Sequence, residues 1–131
     1  MANKKILVVE DDADTRSGYN IRLKANLYDT FLASDAITSV RMAREHEPDL
    51  IILDLGLPGG DGFTVIDRLK ISPQLAVIPI IVVSARTGLV NRARALKAGV
   101  TAFLEKPVDN AELLAVIRRT LGGPAELKKR A

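Results

Sequence analysis

Three short runs of uninterrupted apolar residues constrain this chain most: Ile6-Leu7-Val8-Val9, Leu50-Ile51-Ile52-Leu53 and Ile80-Ile81-Val82-Val83. A strand with one wet face alternates apolar and polar side chains. These runs do not alternate, so both of their faces are expected to be covered, as in a parallel sheet. Two weaker runs, 30–33 and 101–104, fit the same role. Between the runs the apolar spacing changes to the helical period. Helices are expected over 14–26, 36–46, 61–70, 88–98 and 110–121. Their inward residues are Ala36, Val40 and Ala43 on the second, Val65, Ile66 and Leu69 on the third, Leu89, Ala93 and Leu96 on the fourth, and Leu113, Leu114, Ile117 and Leu121 on the fifth. Pro48, Pro79, Gly99 and Gly122-Gly123-Pro124 punctuate the pattern. Right-handed crossovers turn five such βα units into a doubly wound α/β fold, a parallel five-stranded sheet with helices on both faces. Residues 1–121 fill one domain, and 122–131 read as a basic tail or a linker stub.

Composition removes whole classes of chemistry. The chain has no cysteine, hence no disulfide, thiolate metal site or cysteine nucleophile, and His46 is its single histidine. Any metal must therefore be held mainly by oxygen. The net charge of +3 is largely a property of the tail, where Lys128, Lys129 and Arg130 face only Glu126. With no tryptophan to stack on bases and a near-neutral body, direct nucleic-acid binding is not expected. No run is long enough to span a membrane, and the four apolar residues before Glu10 are too few for a signal peptide, so a cytoplasmic location is expected.

The residues that follow each apolar run carry the chemistry. The first run ends in Glu10-Asp11-Asp12, the third strand in Asp54, the fourth in Ser84 and the fifth in Lys106-Pro107. In a parallel sheet these positions share the carboxyl edge, where open α/β folds bind ligands. Each has an ordinary alternative: Asp12 or Asp14 suits a helix N-cap, Ser84 another cap, and Lys106 a solvated loop. Their coincidence at four strand ends points to one crevice. Glu10, Asp11 and Asp54 with Lys106 sum to −2, which is repulsive without a cation or proton. Oxygen-only donors suit Mg²⁺. A carboxylate beside Mg²⁺ and a lysine can act as a nucleophile toward phosphorus, and a hydroxyl can support the phosphoryl oxygens.

These motifs resemble the receiver domain of two-component response regulators, the domain type of the chemotaxis regulators. The resemblance is carried by Ile6 to Asp12, Pro48 to Pro58, Asp61-Gly62, Val82 to Ala85, Ala98-Gly99-Val100 and Phe103 to Pro107, and it covers residue 5 to about 121. It implies a flavodoxin-like sheet of order 2-1-3-4-5. It implies Asp54 as phospho-acceptor, and Mg²⁺ held by Glu10, Asp11, Asp54 and the Gly56 backbone carbonyl, with Asp12 outside the set. Ser84 and Lys106 would contact the phosphoryl group, Ser84 and Phe103 would form the switch, and the bond before Pro107 would be cis. Gly56 and Arg86 occupy the positions that tune phosphate lifetime, and Leu27 stands where a glycine commonly ends the first helix. The implied partners are a histidine kinase or phosphotransfer protein upstream and a protein partner or output domain downstream. The implied output is the face of the fourth helix, fifth strand and fifth helix, which would bind a partner or, alternatively, pair in a homodimer. Such a domain catalyses only its own phosphoryl transfer and dephosphorylation. Ser84 would have to move toward Asp54 on phosphorylation, drawing Phe103 from an exposed to a buried position.

Other readings fit less. Asp12-Ala13-Asp14 has the form of a haloacid-dehalogenase-like phosphohydrolase motif, but that reading leaves Asp54 and Lys106-Pro107 unexplained. No glycine-rich P-loop with Lys-Ser/Thr is present, and Glu10-Asp11 would repel the phosphate of a flavodoxin-like carrier. A phosphorylation-independent docking receiver would have no use for Asp54, Ser84 and Lys106 together.

Overall fold

The three apolar runs form the middle of the sheet. In the computed structural model, which describes residues 2–58, 61–85 and 89–122, the strands are β1 (Lys5–Val9), β2 (Asp29–Ala33), β3 (Leu50–Leu53), β4 (Ile80–Ser84) and β5 (Ala102–Glu105). They alternate with α1 (Ala13–Ala25), α2 (Ala36–His46), α3 (Gly62–Ile71), α4 (Leu89–Lys97) and α5 (Asn110–Leu121). The strand order is β2-β1-β3-β4-β5, and every pairing is parallel. This is the flavodoxin-like doubly wound architecture.

Alternate residues of the central strands feed two separate cores. Leu7, Val9, Ile51, Leu53, Ile80 and Val82 pack with the apolar sides of α2 and α3 and with Ala95 of α4. Ile6, Val8, Leu50, Ile52, Ile81 and Val83 pack with Tyr19 and Leu23 of α1 and with Leu113, Val116 and Ile117 of α5. Double-sided burial is why these strands needed no polar alternation. Helix starts are fixed by carboxylates: Asp12, Asp35 and Asp61 accept from the backbone amides of Thr15, Thr38 and Phe63. Asp12, rather than Asp14, is the cap of α1.

Two expectations are corrected. The inward side of α4 is not Leu89, Ala93 and Leu96. Ala95 is its only buried residue, and Leu89 is 85% exposed. Small size at position 95 lets the helix lie close to the sheet, and two cations secure it from its flanks. The Arg94 guanidinium stands 3.8 Å from the centroid of the Phe63 ring, and Arg92 reaches the Phe103 carbonyl. Helical spacing alone selects the larger apolar residues and therefore picks the wrong side. The fifth strand also starts one residue later than the apolar run suggested, at Ala102.

The turn after α1 is closed by Leu27 in the left-handed region, at φ 68°. A glycine is not required there, although leucine adopts that conformation at a cost. Gly122 caps α5 at φ 81°. Arg86 and the tail 123–131 lie outside the described residues.

Candidate functional site

Backbone pairing carries the sheet one step past its strands and thereby fixes the site. The Glu10 amide donates to the Ala33 carbonyl, the Asp54 amide to Val9, and the Lys106 amide to Ser84, each at 3.0 Å. The residues after β1, β3 and β5 are thus held by bonds that continue the sheet, and Ser84 is itself the last residue of β4. All four side chains meet at the carboxyl edge.

Asp54 is at the centre and is 9% exposed. Its Oδ1 accepts from the Ser84 hydroxyl at 3.2 Å and from the Gly56 amide at 3.1 Å. Its Oδ2 accepts from the Lys106 ammonium at 3.1 Å. Lys106 also donates to Glu10 Oε1, while Glu10 Oε2 accepts from the Asp12 amide at 3.1 Å. Lys106 thus bridges two carboxylates, so the negative sum is partly neutralised inside the protein. Oxygens of Glu10, Asp11 and Asp54 come within 4.8 Å of one another. Asp12 stays out of that group because its carboxylate caps α1. Asp11 is exposed, whereas Glu10 is buried.

The electrostatics follow from burial. Loss of solvent raises the Glu10 pKa above its usual value, against the lowering effect of Lys106 and the Asp12 amide. Burial alone would lower the Lys106 pKa, but hydrogen bonds to Glu10 and Asp54 outweigh it and raise it. The neighbouring Tyr19 hydroxyl is pushed up to about 12, chiefly by burial.

Gly56 and Gly62 flank Asp54 in opposite circumstances. Among the described residues, a Cβ on Gly56 would meet nothing within 4 Å. A Cβ on Gly62 would lie 2.5 Å from the Leu55 Cα and 2.7 Å from the Asp54 carbonyl oxygen. Only glycine lets α3 start directly against the Asp54–Leu55 backbone. The Lys106–Pro107 peptide is cis.

The inferred switch pair differs from expectation. Ser84 is already hydrogen-bonded to Asp54, and Phe103 is already 3% exposed, packed in the core that contains Ala95 and Val100. The movement that was expected to bury Phe103 is therefore not needed to reach this arrangement.

One residue of the site escaped the sequence reading. Arg16, in the first turns of α1, donates through Nη1 to the Glu10 carbonyl at 2.9 Å and the Asp11 carbonyl at 3.2 Å. An arginine on a polar helix face reads as solvated, and its return to the preceding loop has no spacing signature.

What an acidic, lysine-bridged edge of a 2-1-3-4-5 sheet belongs to is answered by comparison with known proteins. Residues 6–118 match the model of the response regulator receiver domain. The response regulator PleD of Caulobacter vibrioides is 39% identical over 115 residues, which are 87% of this chain and 25% of that protein. The phosphate regulon transcriptional regulatory protein PhoB of Escherichia coli is 36% identical over 118 residues, 90% of this chain and 52% of that protein. The chain thus spans from a quarter to about half of these relatives. Among solved structures, the receiver domain of the sensor histidine kinase PA1611 of Pseudomonas aeruginosa, described with a magnesium ion coordinated in its active-site cleft, superposes with a TM-score of 0.85 at 30% identity, covering 93% of this chain and all of that one. The chemotaxis protein CheY4 of Vibrio cholerae gives a TM-score of 0.86 at 26% identity, covering 92% of this chain and all of that one. Fold, site and sequence agree, and the chain belongs to the response regulator receiver domain family of two-component signalling.

Proposed function

We propose that this receiver domain accepts a phosphoryl group on Asp54 from a phosphohistidine donor, either a histidine kinase or a phosphotransfer protein, in a Mg²⁺-dependent reaction. The observation that carries the reading is the convergence of Lys106 and Ser84 on the two oxygens of one nearly buried carboxylate, Asp54. An Asp54 oxygen attacks phosphorus, the P–N bond to the donor imidazole breaks with its electron pair leaving on nitrogen, and an acyl phosphate forms. Lys106 exchanges its contact with Asp54 Oδ2 for a phosphoryl oxygen, and the Ser84 hydroxyl donates to another.

The donor set fits a hard divalent cation, because its three side chains offer only carboxylate oxygens. Asp11, Asp54 and the Gly56 carbonyl are the proposed direct ligands, with Glu10 completing the acidic set beside them. When bound, Mg²⁺ supplies neutralisation of the phosphoryl oxygens. Glu10, both of whose oxygens are engaged by Lys106 and the Asp12 amide, is suited to an indirect role through water. Gly56 and Arg86 are proposed as the positions that tune phosphate lifetime. Among the described residues nothing lies within 4 Å of where a Gly56 Cβ would stand, which favours access of water to the acceptor.

The upstream partner is proposed to approach over α1, where a groove lined by Thr15, Gly18, Tyr19, Arg22 and Val108 runs up to Lys106. The output is proposed to be the surface of α4, β5 and α5, read by a downstream partner, by an attached output domain or by a second copy in a homodimer. Ser84 and Phe103 are proposed to couple that surface to Asp54. The domain is proposed to act as a signalling acceptor in the cytoplasm and to catalyse no reaction besides its own loading and release of phosphate. Among the described residues, no helix is long and apolar enough to cross a membrane.

The test is incubation with a small acyl-phosphate donor. One phosphoryl group per chain is expected in Mg²⁺ and none in excess chelator. Equal loading in both would contradict the metal-dependent mechanism.

A further inference from the structure

We propose that Arg16 is a positioning residue for the acidic pair, holding the Glu10–Asp11 backbone so that both carboxylates face a divalent cation; this rests on the Mg²⁺ site proposed above. The Glu10–Asp12 segment leaves β1 and must enter α1 within three residues. Two of its amides are engaged: Glu10 N–H donates to the Ala33 carbonyl and Asp12 N–H to Glu10 Oε2. The carbonyls of Glu10 and Asp11 point elsewhere, and a single guanidinium nitrogen takes both, at 2.9 and 3.2 Å. Arg16 is itself fixed because its amide donates to the Asp12 carbonyl at 2.9 Å, inside the turn that Asp12 caps through Thr15. The loop is therefore clamped from the helix it leads into.

The position is informative because charge and geometry act in opposite directions. A guanidinium this close to a cation site repels the cation. If Arg16 acted only through its charge, removing it would tighten Mg²⁺ binding. If it acts by holding the loop, removing it disperses the Asp11 carboxylate over conformers that do not face the site, and binding weakens. Partners that orient metal ligands typically change affinity by about 10- to 100-fold when lost.

The experiment is a Mg²⁺ titration of wild type, Arg16→Met and Arg16→Lys, followed by the amide resonances of residues 10–12 and 56, with metal-free thermal melting alongside. Methionine removes both donor and charge. Lysine keeps the charge on a stem one bond shorter, which cannot bridge the two carbonyls in the same way. A rise in Kd of about tenfold or more is expected for methionine, and a smaller rise for lysine. Metal-free melting reports any general loss of stability separately. If Arg16→Met does not fold, Arg16→Lys alone decides. An unchanged or lower Kd in either folded variant would overturn the proposal. Wild type that binds no Mg²⁺ would instead overturn the metal site itself, and this proposal with it.

Discussion

The Ser84 hydroxyl and the Asp54 carboxylate are joined directly, Oγ to Oδ1 at 3.2 Å, across two neighbouring strand ends. Ser84 lies opposite Glu105 in the β4–β5 register, two residues past the Val82–Phe103 pair. One short strand segment thus links Asp54 to the buried ring. Ser84→Ala leaves Asp54 its contacts with Gly56 and Lys106, so phosphoryl loading should persist. The Phe103 ring should respond to a beryllofluoride mimic in wild type and not in the variant, as read by NMR. The same ring response in both proteins would show that Ser84 is not the link.

Lys106 screens two carboxylates that burial would otherwise set against each other. Lys106→Met should destabilise the metal-free protein by about 1–3 kcal/mol, reduced from a fully buried pair because the ammonium keeps some solvent contact. The pH dependence has a definite sign. The Glu10 pKa is raised above 4.5 by burial, so folding favours its protonated form, and that contribution is lost as pH rises through the folded-state value. Removing Lys106 takes away a lowering influence and raises Glu10 further. The stability gap between variant and wild type should therefore narrow from pH 7 to pH 5 in calorimetric melting. A gap that widens would show that Glu10 and Asp54 do not repel.

Gly62 and Gly56 should behave oppositely when given a methyl group. Gly62→Ala drives a Cβ into the Leu55 and Asp54 backbone and should cost about 1–3 kcal/mol. Gly56→Ala enters open space and should be neutral or stabilising by up to about 1 kcal/mol. Denaturant melts of the two variants check the pair, and equal losses would contradict the packing described here.

Much of this was legible because strand burial and strand ends are written locally. Ile6–Val9, Leu50–Leu53 and Ile80–Val83 declare a two-sided sheet, and the polar residue after each declares the edge. Glu10, Asp54, Ser84 and Lys106 were found by that rule and do meet in space. The rule fails where a contact depends on tertiary closeness. Ala95 is the residue of α4 that joins the core, and no helical period favours an alanine over Leu89. Arg16 turns back on its own loop, and Arg94 finds Phe63 on another helix. Long cations carry no periodic signal, so their partners emerge only from the folded chain.

Leu27 marks a place where sequence and backbone disagree. It holds φ 68° while 73% exposed, so its side chain gains little packing in return. Leu27→Gly should relieve the left-handed conformation and, after the extra unfolded-state entropy of glycine, stabilise the domain by about 0.5–1 kcal/mol. Thermal melting tests this, and a clear loss of stability would mean that Leu27 contributes contacts that outweigh its strain.

The central claim is that Asp54 is the acceptor, and intact-mass measurement tests it most directly. Wild type and Asp54→Asn are each incubated with a small acyl-phosphate donor and Mg²⁺. The account predicts the mass of one added phosphoryl group on wild type and no addition to Asp54→Asn. An Asp54→Asn protein that gains the same mass would contradict it.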